Sequence, residues 1–364
     1  QLKMKTYLRY ITLIFIVVFS FTISKWLFAD KTSNVYKSTE HNHMTQDNSL
    51  IDRAILSKAK MYQKTWETST NVETAVICGS DDNTSLSGYE EDDRDNDLIM
   101  YSECGKCGSG TLIAVLSRAC HESKVYHTKY TIPLPEDDVL STVELKLNYV
   151  RETILKKTRP YIFTGHSSFI DFKEIGLQQP IYIDLVRDPV NRWISLFYYM
   201  QQSNHHKGQY PKSVDYCIKL WITETWCYRS KDIVKCLQNS PFKGCKYGMV
   251  TPAYKRWFTG RYTNSTTWSI ARAKHNIERY YKFIGLTEHF NDTLKGLEII
   301  IPRFKQGILT DVYRNTTNKN VGHHNPNPRN STLVLMKKLL VDDYDIYEFI
   351  RQRFYIQLKC LGIR

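Results

Sequence analysis

The chain has 364 residues, more than one hydrophobic core usually supports, so a large catalytic-type domain with segments outside its core is expected and a mini-scaffold is excluded. Hydrophobic residues at 42% and aromatic residues at 13% exclude a mostly disordered chain. Fifty Lys and Arg against 37 Asp and Glu leave a net charge of +13, which points to a polyanionic partner: nucleic acid, an acidic membrane surface or an acidic polysaccharide.

Residues 10–24 carry no charge, and Trp26-Leu27-Phe28-Ala29 extends the apolar run past Lys25 to the roughly 20 residues that a bilayer helix needs. Lys3, Lys5 and Arg9 precede it, so residues 1–9 read as a cytosolic tail, 10–29 as a single signal anchor and the remainder as lumenal. A cleaved signal peptide is the other reading, and no small-x-small site follows the run to favour it. Either way the rest is exported, which removes nucleic acid from the partner classes. Five sequons, at Asn83, Asn264, Asn291, Asn315 and Asn330, all lie downstream of the run. Nine cysteines in an oxidising lumen are expected to pair in part, the odd count leaving a free thiol or an intermolecular bond.

Residues 30–95, rich in Ser, Thr, Asn, Asp and Lys and closing on an acidic run, read as a stalk with a short helix over 51–66. From 96 to 364, short apolar runs alternate with helical patterns, the pattern of an α/β domain with a parallel sheet. Leu98–Tyr101 is the first predicted strand, followed by a glycine-rich loop and a helix through Thr111–Leu116. Buried strands are predicted at 160–164 and 180–186, and Pro189 opens a helix to about Gln201. Residues 202–262, rich in cysteine, aromatics and lysine without clean periodicity, read as a disulfide-braced insertion. Helices follow at 267–280, 288–300 and 342–358, with a strand at 281–286.

Three segments at strand ends carry candidate chemistry. Glu103-Cys-Gly-Lys-Cys-Gly-Ser-Gly-Thr111 lies between a strand and a helix, where free N–H groups and the helix dipole attract an anion. Lys106 would supply charge, and Ser109 and Thr111 hydroxyl donors. It departs from a Walker A loop because Lys106 precedes Gly108, and an ordinary glycine turn remains the bland alternative. Cys104-x-x-Cys107 has no second CxxC to complete a zinc site. At the second segment, Arg187 at a strand end and Ser195 on the following helix converge on a possible second phosphate site, with Asp188 and Arg192 read as capping or pairing residues. His166, immediately after a predicted strand, places an imidazole on the same rim, and the His323-His324 pair reads as polar loop.

In order and spacing, Gly-Lys-Cys-Gly-Ser, then Pro-Tyr-Ile-Phe-Thr-Gly-His, then Pro-Ile-Tyr-Ile-Asp-Leu-Val-Arg-Asp-Pro-Val-Asn-Arg resemble the uronyl and heparan sulfate 2-O-sulfotransferase family. The likeness covers about residues 98–358, including Trp268–Lys274 and Phe283–Glu288. It implies a single-pass type II Golgi membrane enzyme with a P-loop-like parallel sheet flanked by helices, the fold of sulfotransferases that use 3'-phosphoadenylyl sulfate (PAPS). The implied reaction moves a sulfuryl group from PAPS to the 2-hydroxyl of a uronic acid in an acidic glycosaminoglycan, dermatan or chondroitin sulfate ahead of heparan sulfate, with no metal. The resemblance places Lys106, Cys107, Gly108, Ser109, Gly110 and Thr111 around the 5'-phosphosulfate, Arg187 and Ser195 on the 3'-phosphate, His166 as the base, and Tyr313 in a cofactor-contacting segment. Lys106 would also stabilise the transferring group.

Departures are visible too. Thr164 stands where the heparan enzymes have a second histidine, and Phe258–Tyr262 replaces a paired-cysteine stretch, with Cys227, Cys236 and Cys245 in what looks like an insertion. Lys212, Lys219, Lys255, Arg256 and Arg261 are the basic candidates for holding the acceptor. Sulfation at another sugar position and a non-catalytic glycosaminoglycan-binding role are the alternative readings, and a homo-oligomer is left open.

Overall fold

The computed structural model describes residues 94–130, 143–202, 211–240, 253–260, 266–301, 303–315 and 326–363, all within one compact unit. The predicted anchor and most of the predicted stalk, the sequons at Asn83 and Asn264, Arg261 and His323-His324 lie outside these residues. Among the described residues no helix is long and apolar enough to cross a membrane. Asn291, Asn315 and Asn330 are exposed.

Five strands form one sheet in the order β2-β3-β1-β4-β5: β1 (Arg94–Tyr101), β2 (His127–Tyr130), β3 (Tyr161–Thr164), β4 (Gln179–Val186) and β5 (Tyr281–Leu286). Every pairing is parallel. A parallel sheet needs helices on both faces, so its central strands read as unbroken apolar runs. All eight residues of β4 are buried, and β3 is buried throughout. The helices in chain order are α1 (Ser109–Ser123), α2 (Val143–Val150), α3 (Pro189–Gln202), α4 (Val214–Glu224), α5 (Ile233–Gln238), α6 (Ala253–Thr259), α7 (Thr266–Tyr280), α8 (Phe290–Ile300), α9 (Ile308–Arg314), α10 (Asn330–Leu339) and α11 (Val341–Cys360).

Two features differ from the sequence expectation at the sheet. β1 starts four residues before Leu98, because Arg94 and Asp95 pair with Gln179 and Pro180 ahead of a register shift. Their charges find partners there: Arg94 donates to the Arg279 carbonyl at 2.8 Å, and Asp95 is ion-paired with Arg159. The edge strand β2 was not anticipated; it is only four residues, His-Thr-Lys-Tyr, and pairs with β3 alone.

Residues 211–240 and 253–260 carry α4, α5 and α6. Ser213 caps α4 by accepting from the Tyr216 N–H, and Asp232 caps α5 by accepting from the Lys235 N–H. A Cys227–Cys236 disulfide ties α5 to the turn after α4, the bracing that the cysteine spacing suggested. Cys217 and Cys360 are also disulfide-bonded, whereas Cys104, Cys107 and Cys120 are buried free thiols.

One carboxylate sits inside this apolar sheet. Asp184, 1% exposed in the middle of β4, accepts from Ser102 Oγ at 2.7 Å, Leu185 N at 2.8 Å, Trp257 Nε1 at 2.9 Å and Cys104 N at 3.5 Å. Burial pushes its carboxyl up to about 6, and those donors hold it back from rising further. It joins the end of β1, strand β4 and helix α6 at one point. Asp184→Ala leaves a buried hydroxyl, an indole N–H and backbone N–H groups without their acceptor, so urea unfolding should show a loss of about 3 kcal/mol or more.

Candidate active site

Because β1, β3, β4 and β5 run parallel, Tyr101, Thr164, Val186 and Leu286 all end at one edge of the sheet. Loops after parallel strands are where open α/β sheets hold ligands. The three segments singled out in the sequence leave from that edge.

The loop after β1 is bent by three left-handed residues, Glu103 (φ 54°), Lys106 (φ 67°) and Gly108 (φ 82°), before α1 begins at Ser109. No side chain caps α1 and its first turn holds no acid. Its leading N–H groups and the positive end of its dipole therefore remain directed at the hollow of the loop, the arrangement that receives a phosphate or sulfate. Lys106 is half-buried, its Nζ 4.1 Å from the centre of the Tyr199 ring. Burial lowers its affinity for the proton and the Arg187 guanidinium lowers it further, so the two cations share one field. An anion between them would relieve that repulsion.

Two hydroxyls fix the spacing of the loops. Thr287, just past β5, places its Oγ1 2.5 Å from the Cys107 carbonyl and 2.9 Å from the Val186 carbonyl. Tyr254 on α6 accepts from the Arg187 N–H at 3.0 Å, donates to the Arg187 carbonyl and lies 3.6 Å from Cys107 Sγ. The glycine-rich loop and the strand end bearing Arg187 are thus held by shared partners. Asp188 and Arg192 are the structural residues expected: Asp188 accepts from Asn191 N and Tyr344 Oη, and Arg192 lies 5.7 Å from the Tyr254 ring centre. Burial pushes the Cys107 thiol up, but the Cys104 hydrogen bond, the Arg192 charge and the Tyr254 hydroxyl outweigh it and leave it lowered.

His166 follows β3. Its Nδ1 lies 2.7 Å from the Glu103 carbonyl oxygen. A carbonyl only accepts, so Nδ1 carries the hydrogen and Nε2 of the neutral ring is left as the proton acceptor. The side chain is 39% exposed, and the ring stands edge-on to Trp257 at 6.4 Å. Ser167 N–H donates to the Ser102 carbonyl at 3.1 Å, which stitches this loop to the one after β1. A Cβ on Gly105 would meet His166 Cε1 at 3.7 Å, so the imidazole lies directly against the anion loop.

The structure therefore brings Lys106, Cys107, Gly108, His166 and Arg187 to one place, with Ser109 buried and Gly110 and Thr111 in the opening turns of α1. Ser195 is half-buried on α3, the helix that opens directly after Arg187 and Asp188. Tyr313, on α9, packs its half-buried ring 5.0 Å from that of Phe290. Thr164 is buried at the end of β3. Lys255 is not a rim cation: it is 8% exposed and paired with Asp342 at 3.1 Å. Sequence reasoning missed Glu103, Tyr254, Trp257 and Thr287 as parts of the site, and Asp184 beneath it. Only Asp184 announced itself, as an acid inside an apolar run.

Gly108 has both the left-handed φ and a close neighbour: an added Cβ would sit 3.3 Å from Thr287 Cγ2. Gly108→Ala should cost about 1–2 kcal/mol in denaturant unfolding and weaken anion binding at the loop, because the backbone must leave its cradle conformation.

A family model described as "Sulfotransferase family" matches residues 92–359. The chain is 24% identical over 279 residues to the uronyl 2-sulfotransferases of Homo sapiens and Mus musculus, a match covering 73% of this chain and 64% of each relative. It is 24% identical over 291 residues to heparan sulfate 2-O-sulfotransferase 1 of Xenopus laevis, covering 72% of both chains. The match thus spans a little under two thirds of the length of the uronyl relatives.

Proposed function

We propose, from the premise that this chain belongs to the sulfotransferase family, that it transfers a sulfuryl group from PAPS to the 2-hydroxyl of uronic acid residues in glycosaminoglycans. Dermatan or chondroitin sulfate is the favoured acceptor class and heparan sulfate the next. The observation that carries the reading is the convergence of Lys106, Arg187 and His166 on one edge of the sheet, with the Lys106 and Arg187 charges near enough to oppose each other. The uncapped N-terminus of α1 and the left-handed loop before it fit a phosphosulfate.

PAPS would supply an activated sulfuryl group with a good leaving phosphate. Lys106, the N–H groups of Cys107, Gly108, Ser109 and Gly110 and the Thr111 hydroxyl hold the 5'-phosphosulfate, while Arg187 and Ser195 hold the 3'-phosphate and Tyr313 adds a further contact to the nucleotide. A sugar hydroxyl is a weak nucleophile at neutral pH, so His166 Nε2 takes its proton as the oxygen bonds to sulfur and the sulfur–phosphate-oxygen bond breaks. Lys106 and the loop N–H groups stabilise the charge that grows on the sulfuryl and leaving oxygens, the electrostatic contribution that dominates analogous phosphoryl transfer. No step calls for a metal. The charge of +13 suits an acidic polymer. The apolar run at 10–29 behind Lys3, Lys5 and Arg9, with sequons downstream, supports a type II protein of the Golgi membrane with its catalytic domain in the lumen.

Incubation of the purified protein with labelled PAPS and desulfated polysaccharides should place label on a uronic acid. Label on hexosamine alone would move the acceptor position, and heparin retention without nucleotide binding would make the protein a polysaccharide binder. His166→Ala should keep calorimetric affinity for adenosine 3',5'-bisphosphate while turnover falls by roughly 100-fold or more. Near-normal turnover would remove His166 from its role.

A further inference from the structure

Glu103 is the one acid of the anion loop, and its setting is unusual for a carboxylate. It is 6% exposed, it adopts a left-handed φ of 54° without being glycine, and its Oε2 has no hydrogen-bond partner. A buried carboxylate oxygen left unpaired and a strained backbone both cost free energy, the backbone alone about 1–2 kcal/mol. Burial pushes the Glu103 carboxyl up, and the His166 ring and the Ser109 hydroxyl pull it back. Its other oxygen, Oε1, lies 3.9 Å from His166 Nε2, while its own main-chain carbonyl takes the hydrogen of Nδ1. One residue thus addresses both nitrogens of the imidazole.

We propose that Glu103 is a positioning residue for the transfer: its carbonyl fixes the tautomer of His166, and its carboxylate stabilises the imidazolium formed when Nε2 takes the acceptor's proton. This rests on the reading of His166 as the base. The bond changes are those of that reading: the acceptor O–H breaks, its proton passes to Nε2, the O–S bond forms and the leaving phosphate carries away the electron pair. Glu103 exchanges no atom. Glu103 Oε1, 3.9 Å from Nε2, sets a negative charge beside the ring, so it offsets the positive charge that forms there while the Nε2 proton site stays turned to the acceptor oxygen. Around the pair, Asp184 on β4 opposes the ionisation of Glu103, Ser109 at the start of α1 favours it, and Trp257 from α6 covers the imidazole edge without charge. The half-exposed ring is partly screened by water, which moderates the effect.

The test is the pH profile of kcat in Glu103→Gln, with Glu103→Asp, His166→Ala and the Glu103→Gln/His166→Ala double variant beside it. Loss of the carboxylate removes the negative charge beside Nε2, so the acid limb of kcat should move to lower pH. On the plateau, kcat should fall roughly threefold because the base is weaker. Affinity for adenosine 3',5'-bisphosphate is retained, and Glu103→Asp, which keeps the charge, brings the limb back towards that of the unmodified protein. Adding Glu103→Gln to His166→Ala should have no further effect on transfer. If His166→Ala abolishes transfer but the limb of Glu103→Gln stays in place, or the second substitution costs as much without the histidine as with it, Glu103 is only structural and the proposal fails alone. If His166→Ala transfers normally, the base reading fails and takes the proposal with it. Should Glu103→Gln not fold, Glu103→Ala takes its place: an acid limb displaced to lower pH supports the proposal, and one that coincides with the unmodified protein's overturns it.

Discussion

The site depends on how four parallel strands end. At such an edge the last carbonyls and N–H groups lose their ladder partners and must find others. Here the replacements come from neighbouring loops and from side chains: Thr287 Oγ1 within reach of the Cys107 and Val186 carbonyls, Tyr254 Oη on both polar groups of Arg187, and the Asp184 carboxylate on Ser102, Cys104 and Trp257. The same bonds that satisfy the strand ends set the separation of Lys106, Arg187 and His166. Preorganisation of the site and stability of the edge are therefore one property, and a substitution in either is felt in the other.

Much of the architecture was legible because burial on both faces leaves no alternation to blur. Tyr161–Thr164 and Gln179–Val186 are near-continuous apolar runs bounded by turn residues, and Pro189 marks where α3 starts. β2 was not legible: four polar residues on a sheet edge carry neither period nor apolar run. The start of β1 was hidden by charge, since Arg94 and Asp95 look like stalk until Arg159 and the Arg279 carbonyl are seen to partner them. Between 202 and 262 the cysteines signalled bracing correctly, but the short helices α5 and α6 are too brief to show a 3.6-residue period.

For the site, the anion loop, the Arg187 turn and His166 were readable because each couples a predicted strand end to residues with one plausible chemistry. The supports were not. Tyr254 and Trp257 act on segments more than 60 residues away in the chain, and no local pattern records such pairing. Glu103 looked like one more polar loop residue; only the fold shows its two oxygens of interest, one main-chain and one side-chain, facing the two nitrogens of a single ring. Lys255 shows the converse, a basic residue in a plausible stretch whose charge is spent on Asp342.

The proposed reading stands on the Lys106 loop and Arg187 holding the two phosphate-bearing ends of one nucleotide. Titration calorimetry with adenosine 3',5'-bisphosphate on Lys106→Ala, Arg187→Ala and the double variant tests it most directly. Each single substitution should weaken binding roughly tenfold or more, a charge-assisted contact to phosphate being worth about 1.5–3 kcal/mol. Unchanged affinity in either variant would contradict the account, since it would mean that the nucleotide does not bridge the two strand ends.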